Sequence, residues 1–297
     1  MRKNYLAVAL LISLCLAARA GATTVVYVVT PTGIVVGADG KGFPTGTVLK
    51  IVLLRGKYIV ADIYAEHVKL TDTGAVLYDF PVWIKQIDQH THAELSMGRL
   101  TEIIKNQMPT TFAFAIKAIE TGEFTKGQAV ADGVDAYLIQ YVIAGYQNGI
   151  PTVYSLTLMP DWDTKTVNGP FQGLLKEENG QRADSYIGWR GRGVGIQSAM
   201  VADTKEQKEL SAKIPVEFLA VGTGKDLTLH QASNVARALL GIEAEANPQY
   251  VGFPITVVTI PKIGCGFVRT YKKDVPTLSR LPKGTQGKQT EQPATQN

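Results

Sequence analysis

The sequence predicts an α+β fold with layered antiparallel sheets, and three observations predict it. Residues 24–29, 34–38, 48–54 and 58–62 are short β-branched runs. Turn-prone stretches separate them in pairs, Thr30-Pro31-Thr32-Gly33 and Arg55-Gly56-Lys57, so the chain opens with two consecutive β-hairpins. Helical patterns follow, then a second pair of strands, then one helix and one strand. Strands and helices in blocks, rather than in alternation, point to α+β and not to a parallel α/β sheet.

The later elements follow from periodicity and stop signals. Residues 93–107 place Leu95, Leu100, Ile103 and Ile104 on one helical face, with Pro109 as a stop. Residues 111–119 are apolar and fit a helix or a strand equally. Residues 136–144 and 152–159 read as a strand and its return across the turn 145–149. The segment 160–195 is polar and glycine-rich, and its Arg190-Gly191-Arg192-Gly193-Val194-Gly195 run reads as a flexible turn. Residues 204–213 form a short polar helix. Residues 228–246 form a stronger one, with Ala232, Val235, Ala236, Leu239 and Leu240 on its apolar face. Residues 253–260 are read as the final strand, and 271–297, almost without aliphatics, as a disordered polar tail.

The first 22 residues have a different character. Arg2 and Lys3 precede an apolar run over 6–18, and Ala20 and Ala22 fill the two small-residue positions of an A-x-A cleavage site. Residues 1–22 are therefore expected to be a signal peptide, cut at Ala22-Thr23, which makes the product periplasmic or extracellular. The remaining 275 residues carry 27 basic and 26 acidic side chains. That balance offers no electrostatic footprint for nucleic acid. No later apolar run reaches the roughly 18 residues a membrane span needs. Cys15 leaves with the signal, which leaves Cys265 alone and without an intrachain disulfide partner; it is read as a small buried side chain beside a strand end.

Cleavage there puts a threonine at the new N-terminus. Its hydroxyl and its α-amine then belong to one residue, so the nucleophile carries its own base. Register counting across the first hairpin sets Asp39 opposite Thr24 and beside Thr23. The same counting across the second sets Lys50 opposite Asp62. Lys50 is the only charge in the apolar run 48–54, and a buried ammonium needs a carboxylate, for which Asp39 and Asp62 are the candidates. A nearby ammonium lowers the pKa of an α-amine by like-charge repulsion and favours its basic form.

Thr23-Thr24-Val25-Val26, Gly33-Ile34-Val35-Val36-Gly37-Ala38-Asp39-Gly40 and Val48-Leu49-Lys50-Ile51 together resemble the proteasome β-subunit family, and the Gly-Ala-Asp-Gly stretch resembles its bacterial ring-protease branch. These are N-terminal-nucleophile hydrolases. The resemblance implies a four-layer αββα sandwich over 23–270 and a catalytic set of Thr23, Asp39 and Lys50. It further implies a peptide or amide substrate, no cofactor or metal, and self-association into an oligomer. The chain departs from the family in three places. Trp189-Arg190-Gly191 lacks the serine of the family's Gly-Ser-Gly turn. Pro248-Gln249-Tyr250-Val251-Gly252 lacks the Asp-x-x-Ser-Gly pattern, with Asn247 or Ser185 as substitutes. Asp62 stands where an oxyanion glycine is expected. Two functions follow: a threonine-type amide hydrolase, or a catalytically inactive scaffold of the same fold. Asp88, His90 and His92 form a D-x-H-x-H string read as a solvated loop rather than a metal site. Gly222-Thr223-Gly224-Lys225 is not a phosphate loop, because Leu219 and Asp226 occupy its defining positions.

Overall fold

The computed structural model describes residues 23–41, 47–63, 67–69, 76–91, 94–132, 137–175, 177–178, 181–182, 185–191, 193–201, 203–213 and 227–272. The expected signal peptide, the tail beyond Lys272 and the 222–225 stretch lie outside these residues.

The described residues form an α+β structure with two five-stranded antiparallel sheets. The first sheet contains β1 (Thr24–Thr30), β2 (Gly33–Asp39), β12 (Tyr186–Gly191), β13 (Ile255–Pro261) and β14 (Phe267–Tyr271), in the order β12-β1-β2-β13-β14. The second contains β3 (Ile51–Leu54), β4 (Tyr58–Asp62), β7 (Ile139–Gln147), β8 (Ile150–Asp161) and β9 (Thr166–Leu174), in the order β3-β4-β7-β8-β9. Two small ribbons, β5 (His67–Lys69) with β6 (Val76–Asp79) and β10 (Glu177–Glu178) with β11 (Gln181–Arg182), complete the strands. The helices are α1 (Phe80–His90), α2 (Met97–Thr111), α3 (Ala113–Glu120), α4 (Lys126–Asp132), α5 (Val194–Ala199), α6 (Lys205–Lys213) and α7 (Leu229–Ala246).

Strand β1 shows why the first sheet is buried on both faces. All seven of its residues are buried. Side chains alternate along a strand, and here each set joins a different apolar cluster. Val25, Tyr27 and Val29 belong to the cluster that also contains core residues of the second sheet and of helices α1, α2 and α3. Val26 and Val28 pack with α7 and α5. Helix α7 lies directly on β1, β2 and β13. Its close approach is permitted by Gly37, where a Cβ would lie 2.9 Å from Leu240 Cδ1. A reciprocal capping box starts this helix: the Thr228 hydroxyl accepts from Gln231 N, and Gln231 Oε1 accepts from Thr228 N.

Both predicted hairpins form in the predicted register. Val25 pairs with Ala38 and Thr30 with Gly33; Ile51 pairs with Ala61 and Leu54 with Tyr58. The turn of the first is closed by the Thr30 hydroxyl, which accepts from Gly33 N at 3.1 Å. Several later expectations need correction. The 160–195 segment is not simply a glycine-rich loop, because it supplies edge strand β9 and edge strand β12. The Arg-Gly run is the end of β12 and the start of α5, since Arg190 and Gly191 pair with Val25 and Thr24. Strand 253–260 is not the last one, because β14 pairs along it. Pro109 does not stop α2. It sits in the final turn, where only one backbone bond is lost, and the helix runs on to Thr111. Cys265 is exposed rather than buried, since the bend that holds it lies outside the sheet.

Candidate active site

The site is built where the two opening hairpins end side by side. Asp39 is the last residue of β2, and its carboxylate accepts from three donors. Thr24 N donates to Oδ1 at 3.0 Å, Lys41 N to Oδ2 at 3.2 Å, and Lys50 Nζ to Oδ2 at 3.1 Å. The Asp39 and Lys50 side chains are both fully buried. A charge taken out of water this completely persists only if it is paired and hydrogen-bonded, and this carboxylate meets that condition. The carboxylate thus ties the backbone beside Thr23 to the Lys50 ammonium. Thr23 itself is fully buried at the head of β1.

Local backbone explains the placement. Lys50 stands immediately before β3, and the pairing of the second hairpin reaches past it, because Asp62 N donates to Lys50 O at 2.9 Å. This fixes the base of the lysine. It also bears on the expected oxyanion glycine: the N–H of Asp62, the residue standing in that place, is committed to the β-ladder.

Asp62 belongs to a second polar group. Its carboxylate is fully buried. Tyr78 donates from its hydroxyl to Asp62 Oδ2 at 3.5 Å and shares a 2.5 Å hydrogen bond with the Tyr141 hydroxyl. Burial, the Tyr141 phenol and the Asp62 carboxylate push the Tyr78 phenol well above its ordinary range. Burial, with Asp62 beside it, does the same to Tyr141. Both are therefore neutral hydrogen donors at physiological pH.

Two substitutes raised by the sequence fall in other places. Ser185 precedes Tyr186, which pairs with Val29, so it lies at the far end of β1 from Thr23. Asn247 Nδ2 donates to Glu243 Oε1 at 2.5 Å. Glu243, fully buried, also accepts from Ile196 N at 3.1 Å and so holds the start of α5 against α7. Asp88 pairs with Arg55, Nε to Oδ1 at 2.5 Å, and His90 Nδ1 lies 2.7 Å from Gln86 O. Among the described residues no cluster of His, Cys, Asp and Glu could hold a metal ion.

One residue of the site was not singled out by sequence. Gly191 pairs with Thr24 at a φ of +81°, and a Cβ there would lie 1.9 Å from Thr23 O and 2.9 Å from Ile63 Cγ2. Only glycine allows β12 to close over the Thr23 carbonyl. In the sequence Gly191 stood out only as the end of Trp189-Arg190-Gly191, at the place of the family's Gly-Ser-Gly turn, and within an Arg-Gly run that reads equally well as a loop; neither marks the close approach to Thr23.

No family model matches the chain, and no curated protein matches it. Among solved structures, a similar one is "Anbu (Gly-1) mutant" from Hyphomicrobium sp. strain MC1, with a TM-score of 0.40 and 11% identity over 85% of this chain and 88% of that one. A likeness this slight adds nothing to the geometry of the site. Among the described residues no helix is long and apolar enough to cross a membrane.

Proposed function

We propose that this chain is an exported threonine hydrolase that cleaves amide bonds, most of all peptide bonds, through an acyl-enzyme on Thr23, and that its two sheets and flanking helices form the four-layer αββα sandwich of proteasome-like N-terminal-nucleophile hydrolases. The observation that carries the reading is the buried Asp39 carboxylate joining Thr24 N to Lys50 Nζ. Removal of residues 1–22 frees the Thr23 α-amine. That amine takes the hydroxyl proton as Oγ1 attacks the substrate carbonyl carbon, then passes it to the leaving nitrogen as the C–N bond breaks. Water, deprotonated by the same amine, cleaves the resulting ester and restores Thr23. Lys50, held by the same carboxylate that holds Thr24 N, favours the neutral form of that amine through like-charge repulsion. Self-association and a periplasmic or extracellular location belong to the same proposal.

A specific observation favours a second reading, an inactive scaffold of the same fold. The Asp62 N–H is spent on Lys50 O, and the Asp62 carboxylate is buried where the family resemblance calls for an oxyanion donor. With its N–H in the ladder and its carboxylate beside Tyr78, Asp62 offers no donor to an oxyanion.

Intact mass of the exported protein followed by trapping separates the two. The hydrolase reading expects a chain beginning at Thr23. It also expects stoichiometric labelling by an electrophile that needs both the hydroxyl and the amine of the first residue, absent in Thr23→Ala. Correctly processed protein that takes no label is the scaffold.

A further inference from the structure

A cavity of about 470 Å³ lies between β12, an edge strand of the first sheet, and β7, β8 and β9 of the second. Its lining includes Gln140 on β7, Ser155 and Thr157 on β8, Gly173 on β9, and Arg190 and Gly191 on β12. Gly191 is the residue that closes over Thr23, so one end of the cavity abuts the candidate active site.

The face of the second sheet that meets the first changes character at this point. Ala61, Val142, Ala144 and Val153 share that face and belong to an apolar cluster. Two residues along β7 and β8, the same face carries Gln140 paired with Thr157, and Val142 paired with Ser155. Gln140 is only 3% exposed. Its Nε2 donates to Thr157 Oγ1 at 3.1 Å, and its Oε1 is buried with no hydrogen-bond partner among the described residues. A buried amide oxygen left unmatched costs about 1–3 kcal/mol. An apolar residue at this position of an otherwise apolar strand avoids that cost, so the amide calls for a partner that the described residues do not supply.

We propose that this cavity is the specificity pocket of the substrate and that it takes a carboxamide side chain, glutamine or asparagine. The proposal rests on the amide-hydrolase reading for its purpose, but not for its test. The lining selects by chemistry. Gln140 Oε1 requires an N–H donor. Arg190, half-buried, has five N–H donors, of which Nη1 is used on Trp189 O at 2.9 Å, and offers donors to an acceptor. A carboxamide presents both. A carboxylate would suit Arg190 but face the Gln140 oxygen, and an ammonium would suit Gln140 but meet the guanidinium. Gly173 leaves the space open: a Cβ there would lie 3.1 Å from Ser155 Oγ.

The test is titration of the ¹⁵N-labelled mature protein with blocked tripeptides Ala-Xaa-Ala, where Xaa is Gln, Glu, Lys or norleucine, read from the Gln140 side-chain amide resonance. Binding needs no turnover, so an inactive scaffold gives the same answer. The glutamine peptide is expected to shift that resonance and to bind at least tenfold tighter than the other three. Gln140→Leu should abolish the preference, and Gln140→Glu should move it toward lysine. Gly173→Val, which fills the cavity and leaves Gln140 in place, should weaken the glutamine peptide tenfold or more. Equal binding of all four peptides, binding that leaves the Gln140 resonance unmoved, or an unchanged preference in folded Gln140→Leu or Gly173→Val overturns the proposal.

Discussion

Lys50 Nζ lies 3.1 Å from Asp39 Oδ2, and neither side chain reaches solvent. The pair links two hairpins that are separate in sequence, and the carboxylate also holds Thr24 N. Removing one partner leaves the other charge buried. Lys50→Met and Asp39→Asn are each expected to cost about 3–5 kcal/mol, while the double variant should cost clearly less than their sum. Urea denaturation of the four proteins measures this, and strict additivity would show that the pair does not act as a unit.

Gly191→Ala tests the closure of β12 over Thr23. The substitution combines a positive φ with a Cβ placed 1.9 Å from Thr23 O, so it should cost more than the ~1 kcal/mol typical of an unfavourable Gly→Ala change. A thermal melt within one degree of the parent would refute the close approach. Trapping of Thr23, if active, should fall with it.

Glu243→Ala should destabilise by about 2–4 kcal/mol, because both the Ile196 N–H and the Asn247 amide lose their acceptor in a buried place. Hydrogen exchange should locate the loss. The Ile196 amide is expected to exchange much faster while β7 amides are unaffected.

Alkaline pH acts through Tyr78 and Tyr141, whose folded-state pKa values are raised well above the ordinary value of 10. Both states hold the phenol proton below pH 10, and there the contribution to stability is complete. Above it the unfolded chain releases these protons first, so stability falls as pH rises toward the folded values. Spectrophotometric titration should show two phenols that ionise only together with unfolding, and one fewer in Tyr78→Phe. Independent ionisation of both in the folded protein would contradict the buried geometry.

The opening hairpins were legible because β-branched runs and a short turn fix a register locally. That register alone brought Asp39 to Thr24 and Lys50 to Asp62. Helix α7 was legible from its apolar face. Strands β9 and β12 were not: β9 is exposed along much of its length, and β12 is only half-buried beyond Tyr186. Neither shows the continuous apolar run of a central strand, and their pairing is decided by distant partners. The departure of Pro109 from its expected role as a stop has a similar cause, since packing of Met108 and Phe112 in the core holds the last turn together.

By itself the sequence determined the α+β class, the two hairpins, and a threonine, an aspartate and a lysine brought within one neighbourhood, because each follows from short-range pattern and register. Only the tertiary structure decided which acid holds the lysine, that the Asp62 N–H is occupied, that Gly191 covers Thr23, and that Gln140 carries an unmatched oxygen beside a polar cavity. Those facts depend on how two sheets meet, and contacts between residues far apart in the chain leave no periodicity to read.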